Sequence, residues 1–320
     1  MTEPVVTAAE LGSHLVCPRQ YEFEHDRPVS PRPTSKNHVR ERRRELLRQS
    51  VIAGLQPDSA SADDRIAAAL ARLEELWTAA KPSYVSDDQS RYDEDAVSAA
   101  IERYFSTVGH GHGERLVDAD TTLGYDRDGI RYETTVDAVV ERDGAYLAIR
   151  YVPDTNGLLN VDWYDDNVEQ FTEGRAFYPR QIASFVRAGI AIGGLRVAYG
   201  LDVPADFAYV SLLEECQPDY AGDGVQVEIA QRHFADAYET EREDLLDLAH
   251  ERASAILDGD TDPRTWRFDA ITDRCCRYCA YRDACPDYLA AELSVVGDRR
   301  PETTGSAACS PTEPTSGGEE

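Results

Sequence analysis

The sequence predicts an α/β protein in which a mixed β-sheet is flanked by helices, with a helical lobe before it and a cysteine-rich segment after it. Three observations predict this. Apolar residues recur at helical spacing up to about residue 115, the period changes to two from Leu116, and four of the seven cysteines crowd into the stretch from Cys275 to Cys285.

Residues 8–23 form a short N-terminal helix broken at Cys17-Pro18, because proline cannot continue a helix from within. A Pro-rich stretch, residues 28–33, ends it. Ile66, Leu70, Leu73 and Trp77 then follow i, i+4, i+7, i+11 spacing, and Val97, Ile101 and Tyr104 repeat it, so two amphipathic helices each bury one stripe. Residues 81–83 (Lys-Pro-Ser) separate them. Residues 130–140 and 145–152 are β-branched and aromatic, and residues 141–144 join them as a four-residue hairpin loop. A helix over residues 165–188 leads to strands at 195–201 and 207–213, which implies a right-handed crossover and a mixed sheet. A weaker strand at 225–229, a helix over 234–257 and a low-complexity tail from about 298 to 320 complete the chain. The organisation predicted is an N-terminal helix (1–30), a helical lobe (31–115), a sheet-bearing core (116–260), a cysteine segment (261–297) and a disordered tail (298–320).

With 320 residues, 42% of them apolar, the chain can bury a sizeable core. It has no run of eighteen apolar residues and no basic, apolar leader, which predicts a soluble cytoplasmic protein with no membrane partner. Sixty acidic residues face 33 basic ones for a net charge of −27, and only Lys36 and Lys81 are lysines. An acidic, lysine-poor surface of this kind suits a cytoplasm of very high salt, where charges are screened within about 3 Å at 1 M. In ordinary salt the same acidity would exclude nucleic acid, and net charge does not choose between the two.

The cysteines are Cys17, Cys216, Cys275, Cys276, Cys279, Cys285 and Cys309. An odd count in an intracellular chain disfavours disulfides, whereas C-x2-C spacing lets two thiolates close on one inorganic centre. Cys276, Cys279 and Cys285 have C-x2-C-x5-C spacing and need one further ligand for a 4Fe-4S cluster. A zinc site on Cys275, Cys276, Cys279 and Cys285 is the alternative. Spacing does not decide between Cys275 and Cys276 as the ligand. Cys216 and Cys309 are expected to be a small core residue and a tail residue.

The pairing of Cys17-Pro-Arg-Gln-Tyr21 with the segment from Cys276 to Pro286 resembles RecB-like nucleases of the PD-(D/E)XK superfamily that carry iron-sulfur clusters, the CRISPR-associated exonucleases among them. In that family a lone N-terminal cysteine completes the cluster, so the resemblance implies Cys17, Cys276, Cys279 and Cys285 as ligands. It also implies a restriction-endonuclease-like mixed sheet and a metal-dependent hairpin. The stretch 133–150 resembles the family's Asp strand, turn and acid-x-Lys strand, with Asp137 as the first acid, Ala148 in place of the second and Arg150 in place of the lysine. If the loop spans residues 141–144, Asp137 lies opposite Ala148 and Thr135 opposite Arg150.

Removing the second carboxylate leaves too few oxygens for magnesium or manganese, and arginine is a poor substitute for a catalytic lysine. Glu133, Asp154 and the upstream Glu114 are the acids that could rescue a divalent metal site with Asp137. The bland reading makes Asp137 and Arg150 an ion pair across the hairpin. Gln181, within residues 178–185, resembles the family's Q-x3-Y element beside the active site, with Phe185 for the tyrosine. His38 is the nearest match to the family's early histidine.

Arg40, Arg42, Arg43 and Arg44 lie in the one basic stretch, residues 36–48. They are either a surface for DNA phosphate or a helix face paired internally with Glu41 and Glu45. The resulting expectation is an iron-sulfur protein of the nuclease family acting on DNA, at single-stranded ends, with cleavage weakened or lost. Its partners would be those of a repair or CRISPR-adaptation complex. The alternatives are a non-catalytic DNA-binding or complex-forming relative, and a zinc-stabilised scaffold unrelated to nucleic acid.

Overall fold

The structure, a computed structural model, describes residues 3–30, 35–57, 60–80, 84–155, 167–218 and 224–298. The expected tail with Cys309, the separator at 81–83 and the start of the helix placed at 165 lie outside these residues, as do the side chains of Lys36 and His38.

The described residues form a mixed six-stranded sheet flanked by helices, as the sequence predicts. Strand β1 (Val5–Thr7) leads into α1 (Ala8–Val16), which starts where Thr7 and Glu10 form a capping box: the Glu10 amide donates to Thr7 Oγ1 at 3.2 Å, and the Thr7 amide donates to Glu10 Oε2 at 2.7 Å. Cys17 is extended, and Pro18 opens the short α2 (Pro18–Tyr21).

The lobe is α3 (Ser35–Leu55), α4 (Ala62–Ala80), α5 (Asp87–Tyr104) and α6 (His110–Glu114). Fully buried Arg65 donates to the Gly54 and Leu55 carbonyls at 3.2 and 2.7 Å, satisfying the last turn of α3. The predicted stripe residues Leu73, Trp77, Val97, Ile101 and Tyr104 join Val51 and Leu55 in a core that covers Ala138, Val140, Ile149, Tyr151 and Val210 of the sheet.

Strands β2 (Leu116–Arg127), β3 (Ile130–Arg142) and β4 (Ala145–Val152) follow, and then α7 (Asn167–Thr172), α8 (Pro179–Tyr199), β5 (Ala205–Pro218), β6 (Val225–His233) and α9 (Ala235–Leu257). Helices α10 (Phe268–Arg274) and α11 (Pro286–Asp298) flank the cysteine segment. Strand order is β1-β3-β4-β5-β6, with β2 also on β3, and β4 runs parallel to β5. The opposite face of the sheet packs on α1, α8 and α9 through Leu11, Leu15, Phe185, Ile192, Phe207 and Phe234. Truncating one such Leu to Ala costs about 2–5 kcal/mol.

Two predictions are corrected here. Residues 195–199 continue α8 rather than starting a strand; Gly194 lies so close to Leu123 and Gly124 that helix and sheet touch backbone to backbone, which makes this a core helix. Helix α8 is long and apolar enough to cross a membrane, but most of it is buried inside the fold.

The hairpin loop is also shorter than predicted. Arg142 pairs with Ala145, so only Asp143 and Gly144 turn the chain, with φ of 56° and 81°. Two left-handed residues make the tight turn whose twist matches the strands, which the Asp-Gly dipeptide favours. The register therefore moves by two: Val139, not Asp137, faces Ala148, and the next step of the ladder beyond Ala138–Ile149 brings Asp137 opposite Arg150.

Candidate functional site

Strand β3 has β2 along the whole of one edge. Its other edge is shared by β1, which pairs with residues 131–133, and by β4, which pairs from Ala138 onward. The sheet thus forks at residues 134–137, and Asp137 stands in the fork. Across on β2, Asp120 has φ of 52°, a left-handed kink set between the pairs Ala119–Ala138 and Thr121–Val136.

Asp137 is buried, and both of its oxygens are engaged. Oδ1 takes Arg48 Nε at 3.2 Å and Oδ2 accepts from the Tyr151 amide at 2.7 Å. Burial pushes its carboxyl above the usual range, against the pull of Arg150, the Tyr151 amide, Arg48 and Arg44. Arg150 donates from Nη1 to the Thr135 carbonyl at 3.0 Å, filling part of the gap in the ladder. Its pKa is lowered to about 10 by burial and by the like charges of Arg187 and Arg44. Arg187 in turn reaches the hydroxyl of Tyr209, the strand neighbour of Arg150, at 3.4 Å. Asp137 therefore sits among Arg150, Arg48 and Arg44, with Arg187 beyond Arg150 and Asp120 on the far side of Arg48 at 2.8 Å.

The acids proposed to rescue a metal site have other partners. Glu114 pairs with His110 at 3.4 Å, Glu133 with Arg131 at 2.7 Å and Asp154 with Arg40 at 2.9 Å. Among the described residues no group of three or more His, Cys, Asp or Glu side chains gathers closely enough to hold one ion. Ala148 is fully buried in the core on the α8 side.

The four arginines of the basic stretch do not form one surface. Arg40 binds Asp154, Arg43 Nε binds buried Asp93 at 3.1 Å, Arg44 binds Glu41 at 3.1 Å, and Arg42 lies 4.7 Å over the Tyr84 ring. Sequence reasoning missed Arg48 as the partner of Asp137, although its place one turn beyond Arg44 puts both on one face of α3. It also missed Arg187 and Tyr209, for which no motif gave a signal.

At the other end of the molecule, bonds that involve no sulfur tie the two termini together. His14 Nε2 meets the Asp260 carbonyl at 3.0 Å, Trp266 Nε1 donates to the Leu15 carbonyl at 3.2 Å, and Arg19 Nε donates to Asp287 at 2.8 Å. Cys17 is thereby carried to Cys275, Cys276, Cys279 and Cys285, and the five thiols line one small pocket with Phe23, Ile271 and Tyr281. Burial raises the Cys17 thiol to about 12, with opposing help from the Gln20 and Arg19 amides that point at its sulfur, and burial likewise takes Cys276 to about 12.

The five thiols line the pocket without drawing together into a ligand group close enough for one ion. Their chemistry, soft donors in an apolar pocket with amide N–H groups directed at sulfur, is that of a thiolate-held inorganic centre, whose binding would draw them in and force them to deprotonate. Cys216 lies apart, 3.4 Å from the Tyr92 hydroxyl. Gln181 makes no bond to Asp137 or Arg150; it lines a second pocket that borders Cys275 and Cys279.

No family model matches the chain, and no curated protein matches it in sequence. Among solved structures it is similar to a crystal structure described as a putative exonuclease from Eubacterium rectale, with a TM-score of 0.43 and 8% identity over 77% of this chain and 81% of the other.

Proposed function

We propose that this chain is a RecB-like relative of the PD-(D/E)XK nucleases that binds DNA at single-stranded ends and has lost most or all of its cleavage. In this reading Cys17, Cys276, Cys279 and Cys285 hold a 4Fe-4S cluster that clips the two ends of the chain together, with Cys275 beside it. The protein then serves as a binding or assembly component of a repair or adaptation complex.

The observation that carries the loss of cleavage is the fork at Asp137. A divalent metal needs several oxygen ligands, and nuclease chemistry needs that metal to activate water and neutralise phosphate charge. Here the acids at the fork are Asp137, both of whose oxygens are engaged, and Asp120, which is bound to Arg48 at 2.8 Å, and the guanidinium groups acting on Asp137 are those of Arg150, Arg48 and Arg44. Guanidinium groups favour phosphate oxygens as partners and need no metal to do so. Such a site attracts a backbone without the means to cut it.

The test is one anaerobic preparation assayed twice. Expected are a brown protein absorbing near about 400 nm with iron at cluster stoichiometry, and binding of an end-labelled single strand with no cleavage in magnesium or manganese. Robust metal-dependent cleavage that vanishes in Asp137→Ala would overturn the loss of activity. Stoichiometric zinc without iron would overturn the cluster.

A further inference from the structure

We infer that the pocket lined by Gln181 receives one unpaired nucleobase of a nucleic-acid strand. This rests on the nucleic-acid reading above and adds to it the group on the strand that the protein grips.

Gln181 lies in the first turn of α8 and is 4% exposed, yet neither its Oε1 nor its Nε2 has a hydrogen-bond partner among the described residues. An amide buried without partners opposes folding, and most buried side-chain polar atoms are paired. The side chain faces a pocket of about 230 Å³. It offers a donor and an acceptor side by side, which is the pattern that glutamine uses to bind the edge of a base.

Other walls of the pocket suit the same guest. Val16 and Phe177 are buried apolar residues, while Tyr178 and Tyr278 are 44% and 67% exposed at its rim. Exposed aromatic rings beside a polar pocket are platforms on which unstacked bases settle, independent of sequence. Arg180, also lining the pocket, is exposed and lies close enough to Cys275 and Cys279 for its charge to act on both thiols. In a chain with a net charge of −27 an exposed guanidinium at a pocket mouth is also a place where a phosphate flanking the base can settle. A base inside a duplex keeps its stack and cannot enter, so the ligand is a single strand or a strand end.

The experiment is fluorescence anisotropy of the full-length, cluster-loaded protein with a short single strand and with versions carrying one abasic site at successive positions. One abasic position is expected to weaken binding by about 5- to 150-fold, the range that stacking of one base supplies. Tyr278→Ala and Gln181→Leu are expected to weaken the intact strand similarly and to leave that abasic strand unchanged. Tyr278 is exposed enough that its truncation keeps the test open if Gln181→Leu does not fold. Equal affinity for every abasic strand, with Tyr278→Ala binding like the parent protein, would mean that water fills the pocket and would overturn the inference while leaving nucleic-acid binding in place. Failure of every strand to bind would remove the functional reading, and this inference with it.

Discussion

The cysteine pocket and the fork at Asp137 are both places where distant parts of the chain meet, but they meet by opposite means. At the cysteines the joint is made by other groups: the His14 ring, the Trp266 indole and the Arg19 guanidinium bind partners about 250 residues away, so the joint does not depend on the thiols. At the fork the joint is made by the very residue that would do chemistry, because Arg48 and the Tyr151 amide consume both oxygens of Asp137. A site stays available for ligands where its scaffold is held by someone else. Where the reactive group becomes the fastener, it is spent on stability.

The sharpest way to break this comparison is to reinstall the missing pattern as Ala148→Glu with Arg150→Lys. If Asp137 faced Ala148, the double variant would rebuild a metal site. In the observed register Ala148 faces Val139, and its side chain enters the core of the α8 face. A glutamate there is a buried carboxylate with no partner. The expected result is a loss of about 3–5 kcal/mol in urea unfolding, with no metal-dependent cleavage gained. A stable variant that cuts DNA would show that the fork remains a nuclease site in waiting.

A smaller effect is expected from Arg48→Met, which keeps the length of the side chain and removes the charge that bridges Asp120 and Asp137. Asp137 then keeps only the Tyr151 amide as a direct partner, and the cost should be about 1–3 kcal/mol. Adding Asp137→Asn should recover part of that loss, since the uncompensated charge goes with it; a strictly additive double-mutant cycle would mean that Arg48 is not the fastener.

Much of this was legible in the sequence where a local rule and the tertiary result agree. The stripes through Trp77 and Ile101 became the lobe core, and the change of period at Leu116 became the start of β2. The helix break at Cys17-Pro18 was equally readable. The hairpin register was misjudged because residues 141–142 were assigned to the loop, when the Asp-Gly pair alone can turn the chain. Residues 195–199 misled because Leu-Arg-Val-Ala-Tyr is as apolar and branched as a strand, and only the close approach of Gly194 to β2 decides for helix. The meeting of Cys17 with the C-terminal cysteines was expected from family likeness alone; the bonds of His14, Arg19 and Trp266 that bring it about carry no pattern in the chain. The fork likewise depends on two strands sharing one edge of β3, which is a property of topology rather than of any motif.

The smallest effect belongs to a pair remote from both regions and serves as their control. Asp206 accepts from the amides of Phe207 at 2.7 Å and Ala235 at 2.9 Å, and His233 Nδ1 lies 2.6 Å from it. The bond to Asp206 raises His233 above 6.5, and although burial works the other way for the acid, the bond and charge of His233 and the amides hold Asp206 below 3.8. A raised histidine contributes stability that is complete below about 6.5 and disappears as the pH climbs through its folded pKa; a depressed carboxyl contributes above about 3.8 and loses it only in acid. Their shared contribution is therefore full between these limits and falls on the alkaline side. Because His233 is half exposed, the effect should stay below about 1 kcal/mol. It would appear as a melting temperature that declines slightly from about pH 6 to 8 and a shallower decline in His233→Gln. An unchanged slope in that variant would assign the pH dependence to another group, while Asp206→Ala should still cost more than His233→Gln because it also uncaps the start of α9.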